Sequence, residues 1–244
     1  MEKNELHLKA PGNWINDPNG FIYYKGFYHL FYQCFPYGPR WGRMHWEHAV
    51  SKDLVSWKDL GIALFPSKTD DRSGCFSGSA VEADGKLYLY YTGVHYLEEN
   101  PEDVNLCVNE RFVSAQMMLT SEDGIHFDNI KDKKTVIPVL RDAAVGDARH
   151  TRDPKVWKED AWYMVLGSTI DDKKGRLLFF RSYDREHWTY VNETAKESKF
   201  GWMWECPDYF EVDGTQLLIF SPMGFLKDGD GIWLWTVRYS ENLR

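Results

Sequence analysis

The 244-residue sequence predicts an all-β chain of β-propeller architecture, built from repeated units of four short strands. Segments that alternate apolar and polar residues recur along the chain, and each follows a polar turn. These segments are Phe27–Tyr32, Leu87–Tyr91, Trp162–Leu166 and Leu217–Phe220. Their preceding turns are Lys25-Gly26, Asp84-Gly85, Glu159-Asp160 and Asp213-Gly214. No stretch shows a sustained helical period with capping residues, so strands and turns are the predicted elements.

A second kind of turn recurs at a regular spacing. Serines 51, 121, 182 and 240 open polar turns and lie 70, 61 and 58 residues apart. The turns read SKDLVSW, SEDGIHF, SYDREHW and SENLR. We expect the short polar side chains to bond local backbone groups, while the following aromatic ring anchors the next strand. A repeat of this length with four strands is typical of a propeller blade, and the alternative is an antiparallel sandwich with coincidental turns.

The repeat divides the chain into four predicted blades within one domain, residues 1–244. They lie near 14–65, 75–137, 152–195 and 204–244. The last blade stops after its third predicted strand, Ile232–Arg238, whereas propellers usually close with more complete blades. We therefore expect a truncated propeller of about four blades.

Composition excludes some classes of partner. The formal net charge is −8 and no cluster of lysines or arginines offsets it, which argues against nucleic acid. Aromatic residues make up 16% of the chain and suit both strands and carbohydrate sites. Oligomeric state is left open.

Cysteine usage and the start of the chain predict a cytoplasmic protein. Four cysteines lie without the CxxC spacing of a zinc site, and we expect free thiols in a reducing compartment. The first residues lack the basic and apolar regions of a signal peptide. No apolar run is long enough to cross a membrane, so no membrane partner is expected.

Acidic residues recur at the start of the predicted blades. Asp17 lies nine residues before Gly26, and Glu205 lies nine before Gly214. Asp153 lies seven residues before Asp160, and Ser77 occupies the corresponding place in the second blade, eight before Gly85. First strands of propeller blades line the central channel, so we expect the three acids to converge on one pocket. Alone, Asp17 could belong to a turn and Asp153 to a local ion pair, but their joint recurrence favours function.

Polar and aromatic residues in the same segments are those that sugar sites use. They are Asn16, Trp14, Gln33, Trp41, His45, Trp46 and Arg152. Indole rings would wall the pocket while polar groups bond sugar hydroxyls. A metal site is not expected, because His45 and His48 lack a matching carboxylate set and Asp228–Gly231 lacks calcium-loop spacing.

The candidate site residues lie in a series of short motifs, which are Trp14-Ile15-Asn16-Asp17-Pro18-Asn19-Gly20, Phe31-Tyr32-Gln33, Trp41-Gly42, His45-Trp46, Phe76-Ser77-Gly78-Ser79, Arg152-Asp153-Pro154 and Glu205-Cys206-Pro207. These motifs resemble those of glycoside hydrolase family 32, the invertases, levanases, inulinases and sucrose-6-phosphate hydrolases. They occur in the family's order from residue 7 to about 221. The resemblance implies a five-bladed propeller followed by a β-sandwich, of which this chain lacks the sandwich and most of the fifth blade.

The resemblance also implies a role for each site residue. Asp17 would be the nucleophile, Glu205 the general acid/base, and Asp153 a stabiliser of the transition state that binds sugar hydroxyls. Contacts to the fructosyl unit or its neighbour would come from Asn16, Gln33, Trp41, Phe76, Ser77 and Arg152. No cofactor is implied, and the substrate would be a small fructoside.

The expected reaction is cleavage of sucrose, sucrose 6-phosphate or fructo-oligosaccharides with retained configuration. It requires an ionised Asp17, a protonated Glu205, and about 5–5.5 Å between the two carboxyls. The enzyme alternatives are fructosyl transfer and an inverting five-bladed arabinosidase or xylosidase, whose carboxyls lie about 6.5–9.5 Å apart. The alternative without catalysis is an inactive fructan-binding propeller fragment.

Overall fold

The computed structural model describes residues 8–194 and 200–224, together with the backbone of 236–239. Fifteen β-strands form four antiparallel sheets within these residues. The first sheet contains, in spatial order, β1 (Trp14–Tyr24), β2 (Phe27–Phe35), β3 (His45–Ser51) and β4 (Trp57–Leu64). The second contains β5 (Gly74–Ala83), β6 (Lys86–Tyr96), β7 (Phe112–Ser121) and β8 (Lys134–Ile137).

The remaining two sheets repeat the same order of neighbouring strands. The third contains β9 (Arg152–Lys158), β10 (Trp162–Ile170), β11 (Lys174–Ser182) and β12 (Thr189–Thr194). The fourth contains β13 (Met203–Val212), β14 (Thr215–Met223) and β15 (Thr236–Tyr239). Of the predicted last strand, Ile232–Arg238, residues 232–235 lie outside the described residues, as do the Ser240 turn and Asp228–Gly231.

The chain divides into two compact units. The described residues of Met1–Phe112 and Met117–Lys134 form the first, and those of Val113–Gln116 and Thr135–Arg244 form the second. The first and second sheets pack their aromatic and aliphatic side chains into the first unit's core. Its largest fully buried members are Phe31, Trp46, Leu64, Leu87, Leu89 and Tyr91. The second unit has its own core, which contains Val165, Leu177, Phe179, Trp204, Tyr209, Leu218 and Phe220.

The hairpin turns have the backbone geometry that their residues favour. Lys25-Gly26, Asp84-Gly85 and Asp213-Gly214 have positive φ at both positions, between 46° and 85°. Two successive positive φ angles define the type I′ turn, whose twist matches that of the flanking strands. Glycine adopts this conformation without a steric penalty, which explains its recurrence at the second position.

The serine turns form by side-chain to backbone hydrogen bonds, as the sequence predicts. The hydroxyl oxygen of Ser51 accepts from the backbone N–H of Leu54, and a carboxylate oxygen of Asp53 accepts from two following N–H groups. Ser121 and Ser182 repeat the pattern with Asp123 and Asp184. Local bonds of this kind replace strand pairing at the turn and hold the chain reversal.

A buried ion pair joins the segments that precede β5 and β8 of the second sheet. The ammonium of Lys133 lies 2.5 Å from a carboxylate oxygen of Asp71, and neither side chain has any exposed surface. Tyr91 donates its hydroxyl to the same carboxylate at 2.8 Å. Removing one member of a buried pair leaves an uncompensated charge, so Lys133→Met should lower the free energy of unfolding by about 3–5 kcal/mol. Denaturant titration measures this change.

A surface lysine is the matched control for that substitution. Lys131 is 82% exposed and pairs with Asp128 at 3.7 Å. Because exposed ion pairs contribute at most about 1 kcal/mol, Lys131→Met should leave the midpoint nearly unchanged. Equal midpoints for the two variants would contradict a stabilising role for the buried pair.

A buried histidine pair makes the first unit sensitive to acid. His29 and His48 share a hydrogen bond of 2.9 Å between ring nitrogens, and both rings are buried. Burial, followed by the neighbouring charge of His29, lowers the pKa of His48 from 6.5 to about 3. Between pH 6.5 and about pH 3, His48 is protonated in the unfolded chain but stays neutral in the folded chain. Protonation of His48 in the unfolded chain therefore lowers the free energy of unfolding as the pH falls through this window, and this loss is absent above pH 6.5.

The predicted result is a free energy of unfolding that decreases from pH 6.5 toward pH 3, with a smaller slope in His48→Gln. Denaturant titrations at several pH values measure the slope. His187 is an exposed histidine that pairs with Asp184 in a serine turn, and because exposed ion pairs contribute at most about 1 kcal/mol, His187→Gln should change the slope less than His48→Gln does. An unchanged slope in His48→Gln would show that other groups cause the acid sensitivity.

No helix in the described parts of the chain is long and apolar enough to cross a membrane. Among the described residues, no two of the four cysteines form a disulfide. The cytoplasmic location stays a prediction, and so do the single domain and its four blade boundaries.

Candidate active site

The predicted site residues lie at a β-bulge that recurs in the first strand of every sheet. In β1, Asn16 and Asp17 together oppose the single residue Gln33 of β2. Phe76 and Ser77 of β5 oppose one residue of β6 in the same way. A bulge bends the strand and changes the direction of a side chain, which suits it to a binding site.

The second unit has the same irregularity at two places. In β9, Asp153 and Pro154 oppose one residue of β10, and in β13, Cys206 and Pro207 oppose one residue of β14. Glu205 lies immediately before its bulge, whereas Asp153 is the first residue of its bulge. Asp17 is the second residue of its bulge, so the three acids open corresponding strands but occupy three successive positions relative to the bulge.

Asp17 is oriented by a contact between β1 and β5. The hydroxyl of Ser77 donates a hydrogen bond of 2.6 Å to a carboxylate oxygen of Asp17. Asn19 accepts a hydrogen bond of 3.0 Å from the backbone N–H of Gly78, so the two first strands are joined at two points. These contacts limit the motion of a half-buried carboxylate. The segment from Asn16 to Gly20 is strand, so the alternative interpretation of Asp17 as a turn residue is wrong.

The amides beside Asp17 form a short chain of hydrogen bonds. Asn16 donates through its side-chain amide to the amide oxygen of Gln33. The indole N–H of Trp14 donates to the side-chain oxygen of Asn16 at 3.0 Å. The structure thus brings Asn16 and Gln33 together, as predicted, and Trp14 holds the orientation of Asn16.

Two aromatic rings in the first unit pack edge to face. Trp41 and Phe76 have ring centroids 5.9 Å apart with planes inclined at 73°. Trp41 is partly exposed at 37%, so its ring is accessible to a ligand. Trp46 is different, because it is completely buried in the core and donates its indole N–H to the carbonyl of Phe76. The prediction that Trp46 walls a sugar pocket is wrong.

In the second unit, Arg152 links two of the predicted residues. Its guanidinium donates to a carboxylate oxygen of Glu205 at 2.7 Å and lies 3.9 Å from a carboxylate oxygen of Asp153. Burial is the largest single influence on the pKa of Arg152 and lowers it. The charges of Glu205 and then Asp153 act in the opposite direction and outweigh burial, so the pKa of Arg152 is raised. A buried guanidinium between two carboxylates orients both of them.

Asp153 has a backbone conformation that is rare for a residue with a side chain. Its φ is 64°, in the left-handed region. A carboxylate oxygen of Asp153 accepts a hydrogen bond of 2.9 Å from the backbone N–H of Cys206. Strained conformations cost about 1–3 kcal/mol and cluster at functional sites, where surrounding contacts maintain them.

The amino-acid sequence of the chain matches that of a known protein family. Residues 7–242 match the glycosyl hydrolases family 32 N-terminal domain. The chain belongs to glycoside hydrolase family 32. The predicted resemblance is therefore confirmed.

Curated relatives of this family 32 chain include two sucrose-6-phosphate hydrolases. The one from Zymomonas mobilis is 44% identical over 92% of this chain and 43% of its own length. The one from Bacillus subtilis is 39% identical over 93% of this chain and 45% of its own length. The chain thus spans slightly less than half of the curated relatives it matches.

Solved structures of the family have the same fold. A Bombyx mori GH32 beta-fructofuranosidase mutant in complex with sucrose has a TM-score of 0.81 at 36% identity, over 97% of this chain and 48% of the other. A sucrose-6-phosphate hydrolase from Lactobacillus gasseri has a TM-score of 0.78 at 32% identity, over 94% of this chain and 45% of the other. Together with the four antiparallel sheets, these matches confirm the predicted all-β fold class of β-propeller architecture.

The predicted site residues make contacts that sequence reasoning missed. Asn19 and the backbone N–H of Cys206 each fix a strand that carries a predicted acid. The Nδ1 of His150 accepts a hydrogen bond of 3.0 Å from the guanidinium of Arg152. Asn19 belongs to the Trp14–Gly20 motif, so the sequence contained a signal for this residue. A backbone N–H group has no such signal in the sequence.

No group of three or more histidine, cysteine or acidic side chains is arranged to hold a metal ion in the described portions of the chain. The described polar groups can bond sugar hydroxyls, and the carboxylates of Asp17 and Glu205 can transfer protons or attack an electrophilic carbon.

Proposed function

We propose that this family 32 chain is a retaining β-fructosidase that releases fructose from sucrose-type substrates. The observation that carries the proposal is the 2.6 Å hydrogen bond that fixes the Asp17 carboxylate at the β1 bulge through Ser77. A nucleophile must be held in one orientation to attack, and this contact restricts its rotation. The family membership of the chain supports fructoside chemistry for that carboxylate.

The reaction divides into two displacements. Glu205 donates a proton to the glycosidic oxygen while Asp17 attacks the anomeric carbon of the fructosyl unit. The bond to the leaving sugar breaks and a fructosyl ester of Asp17 forms. Water, activated by Glu205 acting as a base, then cleaves the ester and releases fructose with its original configuration.

Neighbouring groups bind the sugar and stabilise charge. We assign Asp153 to fructosyl hydroxyls and to the positive charge of the transition state, since its carboxylate is held by Arg152 and Cys206. Arg152 orients the carboxylate of Glu205. The remaining predicted contacts to the substrate are Asn16, Gln33, Trp41, Phe76 and Ser77.

Relatives point to the substrate class. Curated relatives are named sucrose-6-phosphate hydrolase and raffinose invertase, and a structural relative was solved with sucrose. We therefore propose sucrose and its 6-phosphate as substrates. Fructosyl transfer to a sugar acceptor uses the same covalent ester and differs only in the molecule that cleaves it.

A methanolysis experiment tests both the activity and its stereochemistry. The purified chain is incubated with sucrose or sucrose 6-phosphate in dilute methanol, and the products are identified by NMR. Fructose and methyl β-fructofuranoside are expected, because methanol competes with water for the ester on its original face. The α-anomer would indicate an inverting enzyme. No fructose from either sugar would favour the inactive fructan-binding alternative.

A further inference from the structure

A cavity in the first unit has a strongly basic lining although the whole chain is acidic. Its volume is about 490 Å³, and Arg43, Arg72, His45, Asn105 and Tyr37 contribute to its wall. The chain as a whole has a net charge of −8, so two arginines in one cavity are a local exception. Burial is the main cause that lowers the pKa of His45, which leaves the positive charge on the arginines.

The two guanidinium groups converge on one oxygen. Arg43 lies 2.8 Å and Arg72 lies 3.4 Å from the same carboxylate oxygen of Glu99. One carboxylate faces two full positive charges, so the three groups together have a net charge of +1. Their geometry shows that the two guanidinium groups can approach one anionic oxygen together.

Most donors of the pair are not used by Glu99. Each guanidinium has five N–H groups, and Glu99 engages one terminal nitrogen of each. The Nε of Arg43 is buried and has no hydrogen-bond acceptor in the described part of the chain. A buried donor without an acceptor destabilises the folded chain by about 1–3 kcal/mol. An additional anionic ligand would reduce this cost, because it brings further acceptor oxygens to the arginine pair.

The cavity is connected through the chain to residues that we assign to the substrate. Arg43 follows Trp41 by two residues. The next residue, Met44, accepts a backbone hydrogen bond of 2.8 Å from Cys75, which directly precedes Phe76. Through Arg43 and this backbone hydrogen bond, the arginine cavity is connected to Trp41 and Phe76, whose rings pack together. Phe76 is followed by Ser77, which donates a hydrogen bond to Asp17.

We propose that the arginine cavity binds the phosphate of a phosphorylated fructoside, carried on the sugar that leaves. The inference rests on the proposed function and narrows its substrate class. A phosphate monoester has a charge of about −1.5 to −2 near neutral pH and three acceptor oxygens. Arginine forks bind such a group through paired, charge-assisted hydrogen bonds. An unphosphorylated sugar would supply no negative charge to balance the excess charge of +1 in this cluster.

Direct binding tests the site without requiring catalysis. Glucose 6-phosphate, glucose and inorganic phosphate are titrated into the chain by calorimetry at constant ionic strength. Glucose 6-phosphate should bind at least about tenfold more tightly than glucose, because charged hydrogen bonds add to the sugar contacts. Arg72 is 54% exposed, so Arg72→Gln should fold, and it should weaken glucose 6-phosphate binding by about ten- to a hundredfold.

A neighbouring arginine separates specific binding from general attraction. Arg40 pairs with Asp103 at 2.8 Å and does not line the cavity, so Arg40→Gln removes the same charge from nearby. It should change glucose 6-phosphate affinity less than about threefold, since exposed charges are screened by salt. Equal weakening in Arg40→Gln and Arg72→Gln, or equal affinity of the parent for glucose and its phosphate, would overturn the inference.

Kinetics then separates this inference from the proposed function. The ratio of kcat/KM for sucrose 6-phosphate to that for sucrose should fall about tenfold or more in Arg72→Gln and stay at the parental value in Arg40→Gln. Hydrolysis of sucrose with no preference for its phosphate would refute the phosphate site alone. Arg72-dependent binding of glucose 6-phosphate without hydrolysis of either sugar would refute the proposed function alone.

Discussion

Replacing Asp17 with asparagine is expected to lower the rate of fructose release by about 10⁴-fold or more, as for other enzymes that lose their nucleophile. The amide has nearly the same shape as the carboxylate, and its oxygen can still accept the hydrogen bond from Ser77. It cannot form a stable ester with the fructosyl carbon, so the first displacement fails. The measurement is the initial rate of fructose release from sucrose under saturating conditions.

The loss must be assigned to chemistry and not to unfolding. Circular dichroism and the denaturant midpoint of Asp17→Asn should match those of the parent chain. Asp132 is an exposed acid of the first unit, and Asp132→Asn is the control for loss of one negative charge. Turnover by Asp17→Asn at more than a tenth of the parental rate would remove Asp17 from the nucleophile role.

Replacing Glu205 with glutamine should lower sucrose hydrolysis by about 10²–10⁴-fold, the range that general acid–base catalysis contributes. Glutamine keeps an oxygen that can accept from Arg152, whose bond to Glu205 is 2.7 Å, so the buried guanidinium retains a partner. The amide cannot protonate the leaving oxygen or activate water. Glu211 lies on the same strand and is exposed, and Glu211→Gln should keep the parental rate.

Azide distinguishes the two carboxylates. In Glu205→Ala, azide can attack the Asp17 ester without a base, so it should accelerate turnover of a fructoside with a good leaving group and yield a β-fructosyl azide. In Asp17→Ala, azide would attack the substrate directly and yield the opposite anomer. Identical azide products from both variants would contradict the assignment of separate nucleophile and acid/base roles. NMR of the products makes this comparison.

Local chemistry accounts for the parts of the fold that were predictable. The type I′ turns at Asp84-Gly85 and Asp213-Gly214, and the serine turns at Ser51 and Ser121, depend on residues within a few positions of one another. Such contacts leave a pattern in a single sequence. Burial was less predictable, because Trp46 has the residue type of a sugar-stacking ring but packs wholly inside the core.

The acids were predicted at equivalent positions of the repeat, but relative to the bulges they differ by up to two residues. Counting from turns placed Asp17, Asp153 and Glu205 at the start of the first, third and fourth blades, but the bulges shift them relative to one another. A bulge adds one unpaired residue to a strand but hardly changes its composition or its apolar–polar alternation, so the sequence did not reveal where each bulge lies. The register of pairing with the second strand was needed to locate each bulge.

The sequence by itself determined the strand repeat, the turn types and the identity of the candidate catalytic acids, because these depend on neighbours along the chain. Only the tertiary structure decided which partners orient them. Ser77 is 60 residues from Asp17, Glu205 is 53 from Arg152, and Lys133 is 62 from Asp71. Contacts across such separations form when segments far apart in the chain pack together, and a single sequence carries no local pattern that names the partner.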